Sequence, residues 1–132
     1  MIILDTSGLF ALLNRKDQDH RRAKQLFFDD PGPYIVPAGI LAEIGYLVEH
    51  RLGVRTLLAF LRDLGAGLAV DCGERDFPRI LALVERYSDL PLGFSEACVL
   101  ACAERNGGRV LSFDRDFSII ASKGKLQVAG AD

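Results

Sequence analysis

The chain has 132 residues, and we predict one domain over residues 1–132. Hydrophobic residues make up 49% and charged residues 26%, a balance typical of a folded soluble domain rather than a disordered chain. No apolar run approaches the ~20 residues needed to cross a bilayer, and residues 1–5 lack the basic start of a signal peptide, so we expect a cytoplasmic protein that does not enter membranes. A net charge of −2 argues against coating nucleic acid by charge alone, but it does not exclude an enzyme that meets phosphate through bound metal.

Short apolar runs alternate with helical patterns along the chain. Strands are predicted at 2–5, 34–36, 68–70 and 109–113, with a last edge strand at 126–128. Residues 6–8 read as a turn, and helices are predicted from Leu9 onward and at 17–28, 38–51, 54–64, 74–87 and 95–105. This alternation predicts an α/β fold with a mainly parallel sheet. Sites in such sheets form beyond the carboxyl ends of strands, which selects the acids to consider.

Acids follow the first and the last clear strands of the predicted sheet. Asp5 ends the first strand, Asp114 ends the run 110–113, and Arg115 and Asp116 come directly behind it. Taken alone, Asp5 suits a helix N-cap as well as a functional site, and a loop acid needs no function. The carboxyl ends of parallel strands meet at one edge, however, so we expect these acids to converge. Like charges gathered there repel each other unless a cation lies among them.

Glu43 lies in the predicted helix 38–51, next to an apolar stripe formed by Ile40, Ile44 and Leu47. This spacing places the acid on or beside the buried face of the helix. Burying a lone carboxylate is costly and is usually relieved by a paired charge, a raised pKa or a metal. The alternative is an acid at the edge of the stripe that reaches water; the pattern favours a functional position.

Glu96 stands in the first turn of an otherwise apolar helical pattern at 95–105. An acid there complements the helix dipole by about 0.3–1 kcal/mol, so the position alone is explained without a function. Asp89, a few residues upstream, reads alone as an ordinary turn acid.

The candidate ligands are oxygens. His20 and His50 lack the spacing of metal ligands, the three cysteines contain no CxxC pair, and we expect those cysteines to be small buried core residues. Carboxylates suit hard cations such as Mg²⁺ and Mn²⁺. A carboxylate site of this kind favours phosphodiester hydrolysis, in which one ion activates a water and a second, ~3.5–4 Å away, stabilises the leaving oxygen.

Four segments carry these acids in order: 2–12, 37–46, 87–97 and 111–117. In that order they resemble the four motifs of the PIN-domain family, and within it the VapC-type toxins of bacterial toxin–antitoxin modules. Each motif alone is weak, but together they run through nearly the whole chain.

The resemblance implies a three-layer α/β/α sandwich and a Mg²⁺- or Mn²⁺-dependent endoribonuclease acting as the toxin of a type II toxin–antitoxin pair. Members are usually homodimers, held inactive by a VapB-like antitoxin that sends a peptide segment into or near the active groove. By position, the catalytic, metal-binding acids are Asp5, Glu43, Glu96 and Asp114, with Asp116 as an auxiliary or second-metal ligand. Hydrogen-bonding support falls to Thr6, Ser7 and Ser112, and auxiliary roles to Asp89 and Arg115.

The sequence departs from the family pattern at Glu96, because the third acid of the family is most often Asp. The extra methylene moves the carboxylate outward, and errors of ~1 Å can cost ~10²-fold in rate. Three outcomes are open: the backbone compensates, Asp89 helps, or the activity is weak. We expect activity to be retained, because a carboxylate stands at each of the four positions.

Two other interpretations compete with this one. A catalytically weak or inactive PIN-like module that binds RNA or a protein partner is favoured by Glu96. A phosphatase of the haloacid-dehalogenase kind also begins with a strand that ends in Asp, but its chemistry needs a second acid at position 7, which here is Ser.

Overall fold

The computed structural model of the protein describes residues 1–90, 92–121 and 127–130. In these ranges the strands are β1 (Ile2–Leu4), β2 (Tyr34–Pro37), β3 (Ala69–Asp71), β4 (Arg109–Leu111) and β5 (Gln127–Ala129). The helices are α1 (Thr6–Leu13), α2 (His20–Asp29), α3 (Leu41–Leu52), α4 (Val54–Asp63), α5 (Phe77–Arg86), α6 (Phe94–Asn106) and α7 (Arg115–Ala121). Short 3-10 turns at Ala38–Ile40 and Glu74–Asp76 lead into α3 and α5. Pro91 of the third motif and Leu126 of the predicted last strand lie outside the described residues.

The strands form one parallel sheet in the order β3-β2-β1-β4-β5. From β1 the chain moves outward through β2 to β3, then returns across β1 to β4 and β5. Because crossover connections between parallel strands are right-handed, the outward run places α1 to α4 on one face of the sheet, and the return places α5 to α7 on the other. The expected α/β/α sandwich with a parallel sheet is confirmed.

The core is centred on β1 and β4, whose apolar side chains are buried. Ile2, Ile3 and Leu4 are fully buried, as expected for a parallel strand covered on both faces. On one face the main covering element is α6, in which every residue from Ala97 to Ala103 is buried. The small side chains of that stretch allow the helix to lie close to the sheet.

Near the carboxyl ends of β1 and β4, one helix begins earlier than expected and another was not expected. Residues 6–8 are the first turn of α1, not a separate turn, and the Leu9 N–H donates to the Asp5 carbonyl at 2.8 Å. Gly8 makes this possible, because a Cβ at that position would overlap the backbone carbonyl of Leu111. Helix α7 was not predicted at all.

The three cysteines are buried, as predicted, but two of them are not free thiols. Cys72, just beyond β3, forms a disulfide with Cys102 of α6, and Cys98 is free. Thirty residues separate the bonded pair, so no local spacing indicates their contact. Among the described residues, no helix combines the length and apolar character needed to span a bilayer.

Candidate active site at the reversal point of the sheet

The candidate site lies where the direction of strand connection reverses, between the carboxyl ends of β1 and β4. The connection from β1 leaves toward one face and the connection from β4 toward the other, which opens a crevice between them. Asp5 follows β1 directly, and its N–H donates to the Leu111 carbonyl of β4 at 3.2 Å. Ser112 and Asp114 follow β4, so the backbone of the two central strands brings these side chains together.

A pocket of about 270 Å³ occupies this crevice. It is lined by Asp5, Thr6, Ser7, Phe10, Glu43, Leu47, Arg51, Ser95, Glu96 and Asp114. The four acids of the sequence analysis therefore line one pocket, although they come from the end of β1, α3, α6 and the segment between β4 and α7. The closed fold, not any local pattern, gathers them.

Asp5 is held by two serine hydroxyls. Its Oδ2 accepts hydrogen bonds from Ser112 Oγ at 2.7 Å and from Ser7 Oγ at 2.8 Å. Both hydroxyl oxygens in turn accept backbone N–H groups, that of Asp114 at Ser112 (3.1 Å) and that of Phe113 at Ser7 (3.0 Å). Because a backbone N–H can only donate, each hydroxyl accepts from the backbone and directs its own proton to the Asp5 carboxylate, which restrains the carboxylate's orientation.

The charge of Asp5 is costly in this position. The residue is 5% exposed, and burial raises the pKa of its carboxyl above the usual 3.8. The hydrogen bonds from Ser112 and Ser7 act to lower that pKa, while the negative charge of Asp114 raises it further. A cation brought into the pocket offsets both the burial and the repulsion.

Glu43 reaches the pocket but not for the reason that the sequence suggested. Its side chain is exposed, so Glu43 lies beside the buried face of α3 and not on it, and its carboxylate carries no burial cost. The buried line of α3 is Ile40, Ile44 and Val48, and Glu43 lies on the adjacent ridge that faces the pocket. There its Oε2 accepts a hydrogen bond from Ser95 Oγ at 2.9 Å.

Glu96 projects from the first turn of α6 and lies against Gly93, the N-cap of the same helix. A Cβ at position 93 would come 2.8 Å from Glu96 Oε2. The absence of a side chain at Gly93 thus leaves room for the longer acid at this corner of the pocket.

The acids and hydroxyls of the pocket offer oxygen ligands, but in the described part of the chain the acids do not form a metal-binding cluster. Within the described residues, no three His, Cys, Asp or Glu side chains are close enough together to hold a metal ion. Thr6 Oγ1 is buried without a hydrogen-bond partner, and it is the one buried side-chain nitrogen or oxygen among the described residues of which this is true. An unsatisfied buried hydroxyl in a pocket wall has its hydrogen-bonding capacity left for a bound group.

Four residues of the sequence analysis do not line the pocket. Ser112 is fully buried and contacts the site through its hydrogen bond to Asp5. Asp116 lines a separate small cavity beside Leu92 and Ile120, and its N–H donates to Asp114 Oδ1 at 2.9 Å. Asp89 and Arg115 are exposed, and neither lines the pocket.

Sequence reasoning missed several residues of the pocket wall. Ser95 directly precedes Glu96, and a hydroxyl next to a proposed ligand was a usable signal. Arg51 and Phe10 gave none, because their guanidinium and ring meet only in the folded chain, with the guanidinium carbon 5.9 Å from the ring centroid.

The fold and pocket define a class: parallel α/β proteins with an acid-lined crevice at the reversal point of the sheet. The PIN domain family model matches residues 2–123, and the chain belongs to that family. It is 31% identical over 117 residues to ribonuclease VapC26 of Mycobacterium tuberculosis, a match that covers 86% of this chain and 87% of the relative.

Solved structures give the same result. VapC20 of M. tuberculosis, described as a sarcin–ricin loop cleaving toxin, superimposes with a TM-score of 0.81 at 25% identity, covering 91% of this chain and 95% of the other. A chain of a toxin–antitoxin complex from Klebsiella pneumoniae shares the fold, with a TM-score of 0.66 at 20% identity and coverage of 89% and 91%.

Proposed function

We propose that this chain is a Mg²⁺- or Mn²⁺-dependent endoribonuclease and the toxin of a type II toxin–antitoxin pair. The observation that carries the proposal is the gathering of Asp5, Glu43, Glu96 and Asp114 in one pocket of a PIN-domain fold. The ribonuclease named among its relatives supports the choice of RNA as substrate.

The residues of the pocket fit a hard divalent cation by their chemistry. Asp5, Glu43, Glu96 and Asp114 would hold it, with the free hydroxyl of Thr6 as a further oxygen in the same wall. Asp116 stays an auxiliary in this proposal, because it lines a different cavity and contacts the pocket only by donating its N–H to Asp114. When bound, the cation lowers the pKa of a water and stabilises the charge that develops on the phosphate.

The chain itself supplies the preorganisation of this site. Ser7 and Ser112 hold the Asp5 carboxylate in one orientation, and Ser95 does the same for Glu43. These hydrogen bonds restrict the two carboxylates and so reduce the reorganisation required when a cation and substrate bind. The charge of Asp114 repels the ionised Asp5 carboxylate when no cation is bound. This repulsion favours binding of a cation between them.

The test is cleavage of a labelled single-stranded RNA by the purified chain. We expect cleavage with Mg²⁺ or Mn²⁺ and none with EDTA. Asp5→Asn and Asp114→Asn should abolish cleavage and leave the far-ultraviolet circular dichroism unchanged. Asp29→Asn is the matched control, because Asp29 is an exposed acid of α2 outside the pocket. Either pocket variant cutting as fast as the parent would refute the assignment.

Calorimetric titration with Mn²⁺ separates this function from a PIN-like module without catalysis. The nuclease proposal requires a binding heat that disappears in Asp5→Asn and persists in Asp29→Asn. An equally weak signal in all three proteins would favour the module.

The toxin role implies an antitoxin partner, a homodimer and a cytoplasmic location. The toxin–antitoxin complex among the structural relatives supports the partner. Exposed apolar side chains such as Phe28 (69% exposed) and Leu81 (59%) give protein partners surface to cover. Expression of this chain in a bacterial host should slow growth, and co-expression of the product of the adjacent small gene should restore it. Expression of the Asp5→Asn variant should leave growth unchanged. Light scattering on the purified chain gives its molecular mass in solution and thus tests whether it is a homodimer.

A further inference from the structure

The pocket carries one cation whose role the proposed function does not use. Among the described residues that line it, Arg51 is the basic one, in the last turn of α3. It lies on the same ridge as Glu43 and Leu47, at steps of four residues, so that ridge runs from an acid at one end to a guanidinium at the other.

Arg51 is not used to neutralise the acids. Within the described part of the chain it forms no ion pair with them, and its side chain instead extends over the Phe10 ring, with the guanidinium carbon 5.9 Å from the centroid. A cation–π contact of this kind favours one position of the guanidinium and leaves its N–H groups available. The guanidinium is therefore placed at the pocket wall, and none of its N–H groups bonds to an acid of the described residues.

A nucleic-acid strand needs such a group at this place. Four carboxylates repel a phosphate that approaches the pocket, and the net charge of −2 for the whole chain gives no general attraction. Guanidinium groups bind phosphate through two parallel hydrogen bonds, and a restrained group loses less entropy on binding.

We propose, on the basis of the proposed nuclease function, that Arg51 binds a backbone phosphate of the RNA next to the cleavage site, with Phe10 as its support. Arg51 thus positions the strand across the acid pocket. In this role Arg51 contacts only phosphate, so it does not contribute to recognition of the base sequence.

Salt dependence of binding tests this without any need for turnover. In the non-cleaving Asp5→Asn protein, affinity for a fluorescent single-stranded RNA is measured by anisotropy over a range of KCl concentrations. Each lost phosphate contact reduces the slope of log K against log[salt] by about 0.7 for single strands. We expect that reduction in Arg51→Ala, together with about tenfold weaker binding. Arg51→Lys should keep the slope but bind more weakly, because it keeps the charge and loses the paired donors.

Arg62→Ala is the matched control, an exposed arginine of α4 outside the pocket, and its slope should equal that of the Asp5→Asn parent. In the cleaving protein, Arg51→Ala should raise KM with little change in kcat. If the wild-type chain cleaves RNA but Arg51→Ala leaves the slope and KM unchanged, the Arg51 proposal is overturned and the nuclease stands. If the chain binds RNA with the Arg51-dependent salt slope but never cleaves it, only the nuclease function is overturned. If it neither binds nor cleaves RNA, the nuclease function and the Arg51 proposal are both overturned.

Discussion

Replacing Gly93 by Ala probes how tightly the position of the Glu96 carboxylate is coupled to activity. Gly93 has φ −79° and ψ 177°, an extended conformation that Ala adopts without strain. The new methyl would lie 2.8 Å from Glu96 Oε2, whereas ordinary contacts begin at 3.4 Å, so the carboxylate must shift by about 0.6 Å. Because errors of ~1 Å in a reacting site cost ~10²-fold, we expect kcat/KM for RNA cleavage to fall roughly tenfold.

Stability should change much less, because the end of a Glu side chain moves easily and an N-cap Gly→Ala change costs at most about 1 kcal/mol. Initial rates on labelled RNA and urea unfolding measure the two effects separately. In a Glu96→Asp background the shorter acid clears the methyl, so Gly93→Ala should then have almost no effect on rate. A Gly93→Ala protein as fast as the parent, or an equal loss in both backgrounds, would refute the reasoning.

Three further substitutions should change the free energy of unfolding. In EDTA, Asp5→Asn should unfold at higher urea than the parent, by a margin that grows as the pH rises from about 4 to 7. Burial of Asp5, and to a lesser extent the charge of Asp114, raises the pKa of the Asp5 carboxyl in the folded state. The folded parent therefore loses stability as that carboxyl ionises with rising pH. A difference between the two urea midpoints that shrinks with rising pH would contradict this. Gly8→Ala should destabilise by about 1–3 kcal/mol because its methyl overlaps the Leu111 carbonyl. Gly45→Ala, in a helix with open space around it, should stabilise the protein by about 0.5–1 kcal/mol. Similar urea midpoints for Gly8→Ala and Gly45→Ala would show that the contact between position 8 and the Leu111 carbonyl is not rigid.

The alternation of apolar runs and helical patterns was enough to predict the fold. β1 is three consecutive buried apolar residues followed by an acid, a pattern that leaves little choice of structure. The rule that sites lie at the carboxyl ends of strands then directed attention to Asp5 and Asp114, which do line one pocket. Their roles in metal binding stay predictions.

The rest depended on contacts between distant parts of the chain. One residue of the buried stripe beside Glu43 was predicted wrongly. Leu47 was counted in the stripe, but Val48 completes it, and Leu47 faces the pocket together with Glu43. The link between Cys72 and Cys102 arises from packing of α6 near the exit of β3.

Short-range chemistry was also overlooked in one place. Asp114 Oδ1 accepts the N–H of Asp116, the second residue of α7, as an acid does at a helix N-cap. That start signal precedes α7, and reading it would have predicted the helix and moved Asp116 away from the pocket.

The central position of β1 has a consequence for the order of synthesis. The first strand to be translated acquires its β4 neighbour only after residue 111 has been added, and the acids of the pocket come from positions 5, 43, 96 and 114. An unfinished or carboxyl-terminally truncated chain therefore has no complete acid pocket. A cell making this protein therefore has no assembled acid pocket until residue 114 has been synthesised and β4 has paired with β1.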